Sequence, residues 1–289
     1  MATSFKTFDP TKDSVVTRNL LHEAIPVTGT IVSGTYSDNN IKNYSHGMFQ
    51  SVYDYPYLSS SANHIFDLTA GYPATSSLSG TSAEHVQNTK KINIYNQMAQ
   101  VLAGFDAQGV VRQFDEDGDL TAGTKIDEAY FINLTRLLSK DEVKKGSFTL
   151  TLGVDADYAT PFEETITISD SSGSSGYKVN SPAGEYGILF AKNGTGTPMS
   201  IGGVTVGMPC GLLYYQAGIA VLSASVFGSG SSDSPGLLSI PVSMSLTEGA
   251  ASHPSASVSA SFIGSAISGA CDALRHRIEN LSFNNTTEL

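Results

Sequence analysis

The sequence has no tryptophan and few charged residues: Lys, Arg, Asp and Glu make up 15% of its 289 residues, against about 25% in ordinary soluble domains. Its 16 basic and 27 acidic residues give a formal net charge of −11. The chain contains no cluster of Lys and Arg with which to neutralise phosphate groups, which argues against nucleic acid as a partner. The acidic charge and the missing Trp argue equally against docking on an anionic membrane.

Cysteine is also scarce. The only two, Cys210 and Cys271, are far apart and belong to no CxxC motif, so we predict neither a disulfide framework nor a cysteine-ligated metal, but two small buried side chains. The segment Met1–Pro10 has no apolar run, and we therefore expect no secretory signal and assembly in a reducing cytoplasm.

Catalytic motifs are absent from the sequence. Its six His residues are scattered without an HExxH pair, and no G-x-S-x-G elbow occurs despite abundant Ser and Gly. We therefore predict that the protein is not an enzyme. An enzyme stays an alternative. Its catalysis would depend on buried carboxylates with shifted pKa values, which the spacing of residues along the chain does not reveal.

The longest apolar segment is Gly211–Gly228, which Gln216 and several Gly and Ser residues interrupt. A membrane span requires about 20 mainly apolar residues. We therefore interpret this segment as two buried strands, Leu212–Tyr215 and Ile219–Phe227, joined by a tight turn.

Short apolar segments separated by Gly, Ser, Pro, Asn and Asp dominate the rest of the chain and predict strands. Apolar and hydroxyl side chains alternate in Ser147–Leu152 and again in Thr165–Ser169, which predicts two half-exposed antiparallel strands that pair. The predicted strands are Thr28–Tyr36, Asn63–Leu68, Ala129–Thr135, Ser147–Val154, Glu164–Ser169 and Tyr186–Ala191.

Two segments have helical periodicity. A capping box at Thr81–Glu84 is followed by apolar residues three or four apart up to Gly104, which predicts a helix over 81–104. Apolar residues at the same spacing predict a second helix over 260–281. The fold class predicted is α+β, predominantly antiparallel β with two amphipathic helices.

Two loops rich in Gly and Ser, Ser171–Gly176 and Gly228–Pro235, are candidate boundaries. The first divides the chain into a β-rich domain over 1–170, which contains the first helix, and a second over 177–289, which ends in the second helix. One continuous domain is the alternative.

The sharpest acidic cluster contains Asp115, Asp117 and Asp119. Three carboxylates at alternate positions can converge on a hard cation such as calcium. The calcium-loop pattern of EF-hands fails here, because Gly118 comes fourth and Ile126 occupies the position of the final Glu. A structural calcium ion and an ordinary solvated acidic turn both stay open, and no other cofactor is predicted.

The segment Tyr44–Tyr57 is rich in aromatic residues. Tyr buries a large area at low entropy cost and keeps a hydroxyl for the wet rim of an interface, so we predict a contact surface here. A loop packed on its own sheet and an aromatic platform for sugars are the alternatives. The predicted interface residues are Tyr44, Phe49, Tyr53, Tyr55 and Tyr57.

The sequence ends in a strand-like segment without a polar tail. We expect either that the natural protein continues past Leu289 or that the last strand docks on a partner sheet, which would satisfy its backbone groups. Phe283 and Leu289 are therefore added to the predicted interface.

Five segments resemble virion structural proteins of contractile-tailed phages that infect marine bacteria, including cyanophages. The resemblance implies a component of the tail, the baseplate or the neck that holds other virion proteins, and it brings no catalytic residues. The segments are Ser51–Thr69, Lys90–Leu102, Phe114–Leu120, Val179–Asn193 and Leu274–Leu289.

The sequence and the resemblance together predict a non-enzymatic virion structural protein. We expect it to assemble in the host cytoplasm as a homo-oligomer and with other virion proteins. Low surface charge suits the close packing of many copies. The alternative is a carbohydrate-binding adhesin or receptor-binding module of the tail.

Overall fold

A computed structural model describes residues 17–22, 39–79, 86–120, 123–154, 161–170, 176–192, 199–201, 204–227 and 267–287. Within these ranges the chain forms fourteen strands and two α-helices. In chain order they are β1 (Thr17–His22), β2 (Ile41–Asn43), β3 (Gln50–Tyr53), β4 (His64–Gly71), α1 (Val86–Leu102), β5 (Ala129–Asn133), β6 (Glu142–Val143), β7 (Thr149–Gly153), β8 (Thr165–Ser169), β9 (Lys178–Ser181), β10 (Gly184–Ala191), β11 (Met199–Ile201), β12 (Val204–Tyr214), β13 (Ile219–Ser223), α2 (Ile267–Arg275) and β14 (Ile278–Thr286).

The described strands form one antiparallel sheet in the order β1-β14-β7-β8-β10-β12-β13-β5-β4-β3-β2. The short strands β6, β9 and β11 pair with β14, β10 and β12 outside this path. The predicted class, α+β with predominantly antiparallel β structure, is confirmed. No helix within the described ranges has the length and apolar character needed to cross a membrane.

Both hairpins predicted from the sequence form, but the predicted strand Ile219–Phe227 is too long, because β13 ends at Ser223 and Ala224–Phe227 forms a 3-10 helix. In the first, Leu150 of β7 lies opposite Ile168 of β8, and the apolar residues of both strands are buried. In the second, β12 and β13 pair through a turn that ends at Gly218, whose φ of 62° is a left-handed conformation favoured by glycine. The predicted strand Thr28–Tyr36 lies outside the described residues.

Helix α1 ends where Gly104 predicts. Gly104 has a φ of 79° and its N–H donates to the carbonyl of Ala99 at 2.8 Å, as at many helix C-termini. Lys91 within the helix is fully buried, whereas Phe105 lies beyond the end of the helix and is 52% exposed. The capping box at Thr81–Glu84 lies outside the described residues.

The second predicted helix is too long. Helix α2 ends at Arg275 and the chain continues as strand β14, so a helix up to residue 281 is wrong. The register of β14 against β7 shifts between Ile278 and Asn280. This bulge places the buried residues Ile278 and Leu281 three positions apart, a spacing that the sequence shares with a helix. Residues 260–266 lie outside the described ranges.

The two predicted halves share one sheet and one hydrophobic core. Strand β14 pairs with β7, and β13 pairs with β5, so strands from either side of the proposed boundary at 171–176 are neighbours. The choice between two domains and one continuous domain stays a prediction. Cys210 and Cys271 are both free and buried, as predicted, and burial raises the pKa of both thiols.

Strand β4 is central to the packing, since both helices contact it. Its residues Leu68 to Gly71 are buried at four consecutive positions, so both faces of the strand are covered. A Cβ atom on Gly71 would lie 2.5 Å from the backbone oxygen of Lys91, so glycine allows α1 to approach the strand closely.

Candidate interaction site

Strands β2, β3 and β4 present most of the predicted aromatic residues on one face of the sheet. Ser51 of β3 lies opposite Lys42 of β2 and Asp67 of β4, and Tyr53 lies opposite His64. Alternate residues of a strand share a face, so Phe49 joins Ser51 and Tyr53. We call this surface the aromatic face. It comprises Lys42, Tyr44, His46, Phe49, Ser51, Tyr53, Tyr57, His64 and Asp67.

Three rings pack together at the β2–β3 turn. The rings of Tyr44 and His46 are nearly parallel with centroids 5.2 Å apart, and Phe49 lies 4.7 Å from Tyr44 and 5.0 Å from His46. The Lys42 ammonium lies 4.9 Å from the Tyr44 ring centroid, within cation–π range. Lys90 of α1 donates a 2.9 Å hydrogen bond to the backbone carbonyl of His46, which ties this turn to the helix.

A second ring cluster lies at the other end of β3. The ring of Tyr53 lies 5.2 Å from that of His64 and 6.3 Å from that of Tyr57. The loop that carries Tyr57 is closed at its base, where Asn63 donates from its backbone and its side chain to the two carboxylate oxygens of Asp54 at 2.6 and 2.8 Å.

Polar groups connect the two ring clusters. The Ser51 hydroxyl donates to Asp67 Oδ1 at 2.5 Å, His64 Nε2 lies 2.7 Å from the same oxygen, and the Tyr44 hydroxyl lies 3.2 Å from Ser51 Oγ. Burial alone would raise the pKa of Asp67, but the hydrogen bonds from His64 and Ser51 outweigh it and lower the pKa. The centre of the aromatic face therefore carries an ionised carboxylate.

The polar centre differs in its bonding from a nucleophilic triad. In such a triad the serine hydroxyl bonds to a histidine nitrogen. Here the Ser51 hydroxyl donates to the carboxylate of Asp67. His64 Nδ1 is buried and has no hydrogen-bond partner among the described residues.

The structure brings together four of the predicted aromatic residues: Tyr44, Phe49, Tyr53 and Tyr57. Tyr55 lies in the loop between β3 and β4 and is 58% exposed. The sequence analysis missed the members of the face that are not Tyr or Phe, although the alternation of Phe49, Ser51 and Tyr53 along β3 was a signal for them. The missed residues are Lys42, His46, Ser51, His64 and Asp67.

Phe283 does not lie on an exposed surface. It is 1% exposed within β14, which pairs with β1 on one side and β7 on the other. The chain's own strands satisfy this backbone, so a partner-facing Phe283 is corrected to a core residue. Leu289 lies outside the described residues.

The acidic cluster forms a tight loop. One carboxylate oxygen from each of Asp115, Asp117 and Asp119 lies within 4.8 Å of the others. Asp115 is fully buried and ion-paired with Lys125, and its Oδ1 accepts the Asp117 N–H at 3.2 Å. Gly118, with a φ of 70°, allows the turn between Asp117 and Asp119.

The carboxylates of this loop lie close together, and the pKa values of two of them are raised. Burial raises the pKa of Asp115, and burial with the nearby charge of Asp115 raises the pKa of Glu116 to about 7. The oxygen donors are of the type that calcium prefers, and the Lys125 ammonium already neutralises one of the three carboxylates.

No family model matches the sequence, and neither the curated proteins nor the solved structures contain a significant match to it. The resemblance to phage virion proteins thus gains no support from these comparisons. The function has to be argued from the residues and their geometry.

Proposed function

We propose that this chain is a non-enzymatic structural component of a contractile-tailed phage particle, located in the tail, baseplate or neck, and that the aromatic face is one of its assembly interfaces. The observation that carries the proposal is the pair of ring clusters on either side of the ionised Asp67. The resemblance in Ser51–Thr69, which covers most of β3 and most of β4, points to the same surface.

The geometry of the face suits a protein interface. Energetically dominant interface residues are enriched in aromatic side chains that fill the centre of the contact. Ring contacts hold Tyr44, Phe49 and Tyr53 in place before a partner arrives, which lowers the entropy cost of binding. The partner would have to satisfy Asp67 and Lys42, and this requirement supplies specificity.

The face also lies at an end of the sheet. Strand β2 pairs with β3, and no other described strand pairs with β2. An edge strand offers unpaired backbone groups to a neighbouring chain. A partner that covers the rings could therefore also extend the sheet.

Light scattering after size-exclusion chromatography tests the proposal. We expect a discrete oligomer, such as a trimer or hexamer, with the same mass in excess calcium and in chelator. Replacing Tyr44 and Tyr53 together with Ala should shift the protein toward monomer without abolishing its cooperative thermal unfolding. Tyr177→Ala, at a 38% exposed position outside the face, is the matched control. A wild-type protein that stays monomeric at high concentration would contradict self-assembly.

A second candidate function is carbohydrate binding by the same face, as in an adhesin or a receptor-binding module of the tail. Ionised Asp67 and the Lys42 ammonium lie among the rings, and sugars bind by stacking on aromatic rings while their hydroxyls bond to polar groups. Under this hypothesis Asp67→Asn abolishes the signal on a glycan array and leaves the oligomer mass unchanged. Under the assembly hypothesis no glycan binds.

A further inference from the structure

Asp115 and Lys125 face each other across two antiparallel segments of the acidic loop. Their neighbours in the chain form two backbone hydrogen bonds, N–H to carbonyl, at 3.1 and 2.9 Å: Glu116 to Thr124 and Ile126 to Phe114. Because these bonds lie on either side of the Asp115–Lys125 pair, the pair is of the type that is not itself hydrogen-bonded through the backbone, in which opposite side chains lie closest. The backbone therefore directs the Lys125 side chain onto the Asp115 carboxylate.

The two charged groups are in contact. Lys125 Nζ is ion-paired with Asp115 Oδ2, and the Asp115 side chain has no solvent-exposed surface. The other carboxylate oxygen, Oδ1, accepts the backbone N–H of Asp117 at 3.2 Å. A buried carboxyl group thus has an amine at one oxygen and a backbone N–H at the other.

The Asp117 carboxylate is the third group at this site. One of its oxygens lies within 4.8 Å of an oxygen of Asp115. Both side chains lie beside Gly123, since a Cβ atom on Gly123 would be 3.1 Å from Asp117 Oδ2 and 3.8 Å from Asp115 Oδ1. A carboxylate this close can exchange a proton with the atoms of the Asp115–Lys125 pair, directly or through one water molecule.

We propose that Lys125 and Asp115 condense into an intramolecular amide, an isopeptide bond, once the chain has folded. The bond from Lys125 Nζ to Asp115 Cγ forms, and the bond from Cγ to Oδ2 breaks. Two of the three ammonium protons leave with Oδ2 as a water molecule, so the step needs neither an oxidant nor a further reactant. The reaction occurs once in each chain and acts on no external substrate. It goes beyond the proposed function and does not depend on it.

Each neighbouring group has a role in this step. Transfer of a proton from Nζ to the buried carboxylate removes two poorly solvated charges and produces the neutral amine and neutral acid that react. The backbone N–H of Asp117 stabilises the negative charge that develops on Oδ1, as the donors of an oxyanion hole do. The Asp117 carboxylate takes a proton from the attacking nitrogen and passes it to the departing oxygen.

Strand pairing supplies the proximity that the condensation requires. Well-oriented reacting groups behave as if their concentrations were about 10⁵–10⁸ M, whereas free side chains in water do not condense at a useful rate. The bond would also fix neighbouring strands, because Tyr186 of β10 and Asn180 of β9 both donate hydrogen bonds of 3.1 Å to the carbonyl of Gly118 in this loop. A covalently closed loop therefore anchors both strands.

Intact-mass spectrometry of the full chain in denaturant tests the inference. We expect a mass lower than that of the sequence by one water molecule, and tandem spectra of a digest that join Lys125 to Asp115. Lys125→Arg keeps the positive charge but offers no neutral amine, so this variant should have the full mass and still unfold cooperatively in urea. Asp117→Asn removes the proton-transfer group, so the full mass should predominate.

Lys145→Arg is the matched control. Lys145 Nζ lies 2.6 Å from Glu185 Oε2 in an ion pair outside the acidic loop, so its replacement should leave the loss of water unchanged. A folded wild-type chain that keeps the full mass after prolonged incubation would overturn the inference. A loss of water that persists in Lys125→Arg would also overturn it, because that result would identify a succinimide at Asp117 and Gly118 instead.

Discussion

The hydroxyl of Tyr95 joins helix α1 to the base of the acidic loop. Tyr95 is 1% exposed, and its hydroxyl donates to the carbonyl of Ile126 at 2.7 Å and accepts the N–H of Phe114 at 3.2 Å. Ile126 and Phe114 also bond to each other, from the N–H of Ile126 to the carbonyl of Phe114 at 2.9 Å. One side-chain oxygen thus connects the helix to both ends of the loop.

We predict that Tyr95→Phe destabilises the protein by about 2–4 kcal/mol. The substitution keeps the ring, which packs edge-on against Phe114 with centroids 5.4 Å apart. It removes two hydrogen bonds that contribute about 1 kcal/mol each, and the buried N–H and buried carbonyl that lose this partner bring the total to as much as about 4 kcal/mol. Small domains have a total stability of about 5–15 kcal/mol, so this loss is large enough to measure easily.

Equilibrium unfolding in urea provides the measurement. Tyr55→Phe makes the same chemical change at a 58% exposed position and should alter the free energy of unfolding by no more than about 0.5 kcal/mol. The urea dependence of stability should be the same in both variants, because neither changes the surface exposed on unfolding. If the two variants were equally stable, the hydroxyl of Tyr95 would not hold the loop as described.

Three further predictions concern the same region. Because burial raises the pKa of Glu116 to about 7, the folded state retains a proton that the unfolded chain releases. The free energy of unfolding should therefore fall by about 2 kcal/mol as pH rises from about 5 to about 8, and a urea series across pH on Glu116→Gln should lack this fall. Burial lowers the pKa of Lys91 from 10.5 to about 8, so the free energy of unfolding should instead rise as the pH increases from about 8 to about 10.5. The same urea series on Lys91→Met should lack this rise, and an equal rise in the variant and the wild type would contradict the prediction. Gly71→Ala should lower the free energy of unfolding in urea by about 3 kcal/mol, because its Cβ would lie 2.5 Å from the Lys91 carbonyl oxygen and 2.9 Å from the Tyr95 nitrogen. An unchanged urea midpoint would refute the close contact.

Local patterns predicted much of the secondary structure. The alternation of apolar and hydroxyl residues in β7 and β8 identified both strands and their pairing, because the side chains of a strand have a period of two. Gly104 identified the end of α1, because only residues that tolerate a left-handed backbone end a helix in this way. These signals lie within a few residues of the structure that they specify.

The errors arose where a local pattern has two interpretations. A spacing of three between Ile278 and Leu281 fits a helix and also fits a strand with a bulge, and the choice depends on pairing with β7 and β1. Burial along α1 also depends on the fold. Lys91 lies within the helix and is fully buried, which a charged side chain does not predict.

The sequence alone determined the class of the fold, the absence of catalytic motifs and the residue types available for contact. Each follows from composition or from short-range periodicity. Only the tertiary structure placed His64 and Asp67 beside the Tyr residues of the hairpin, and Ser181 beside the end of α1. The physical reason is that strand register and helix docking bring distant residues together, and both are set by the packing of the whole core.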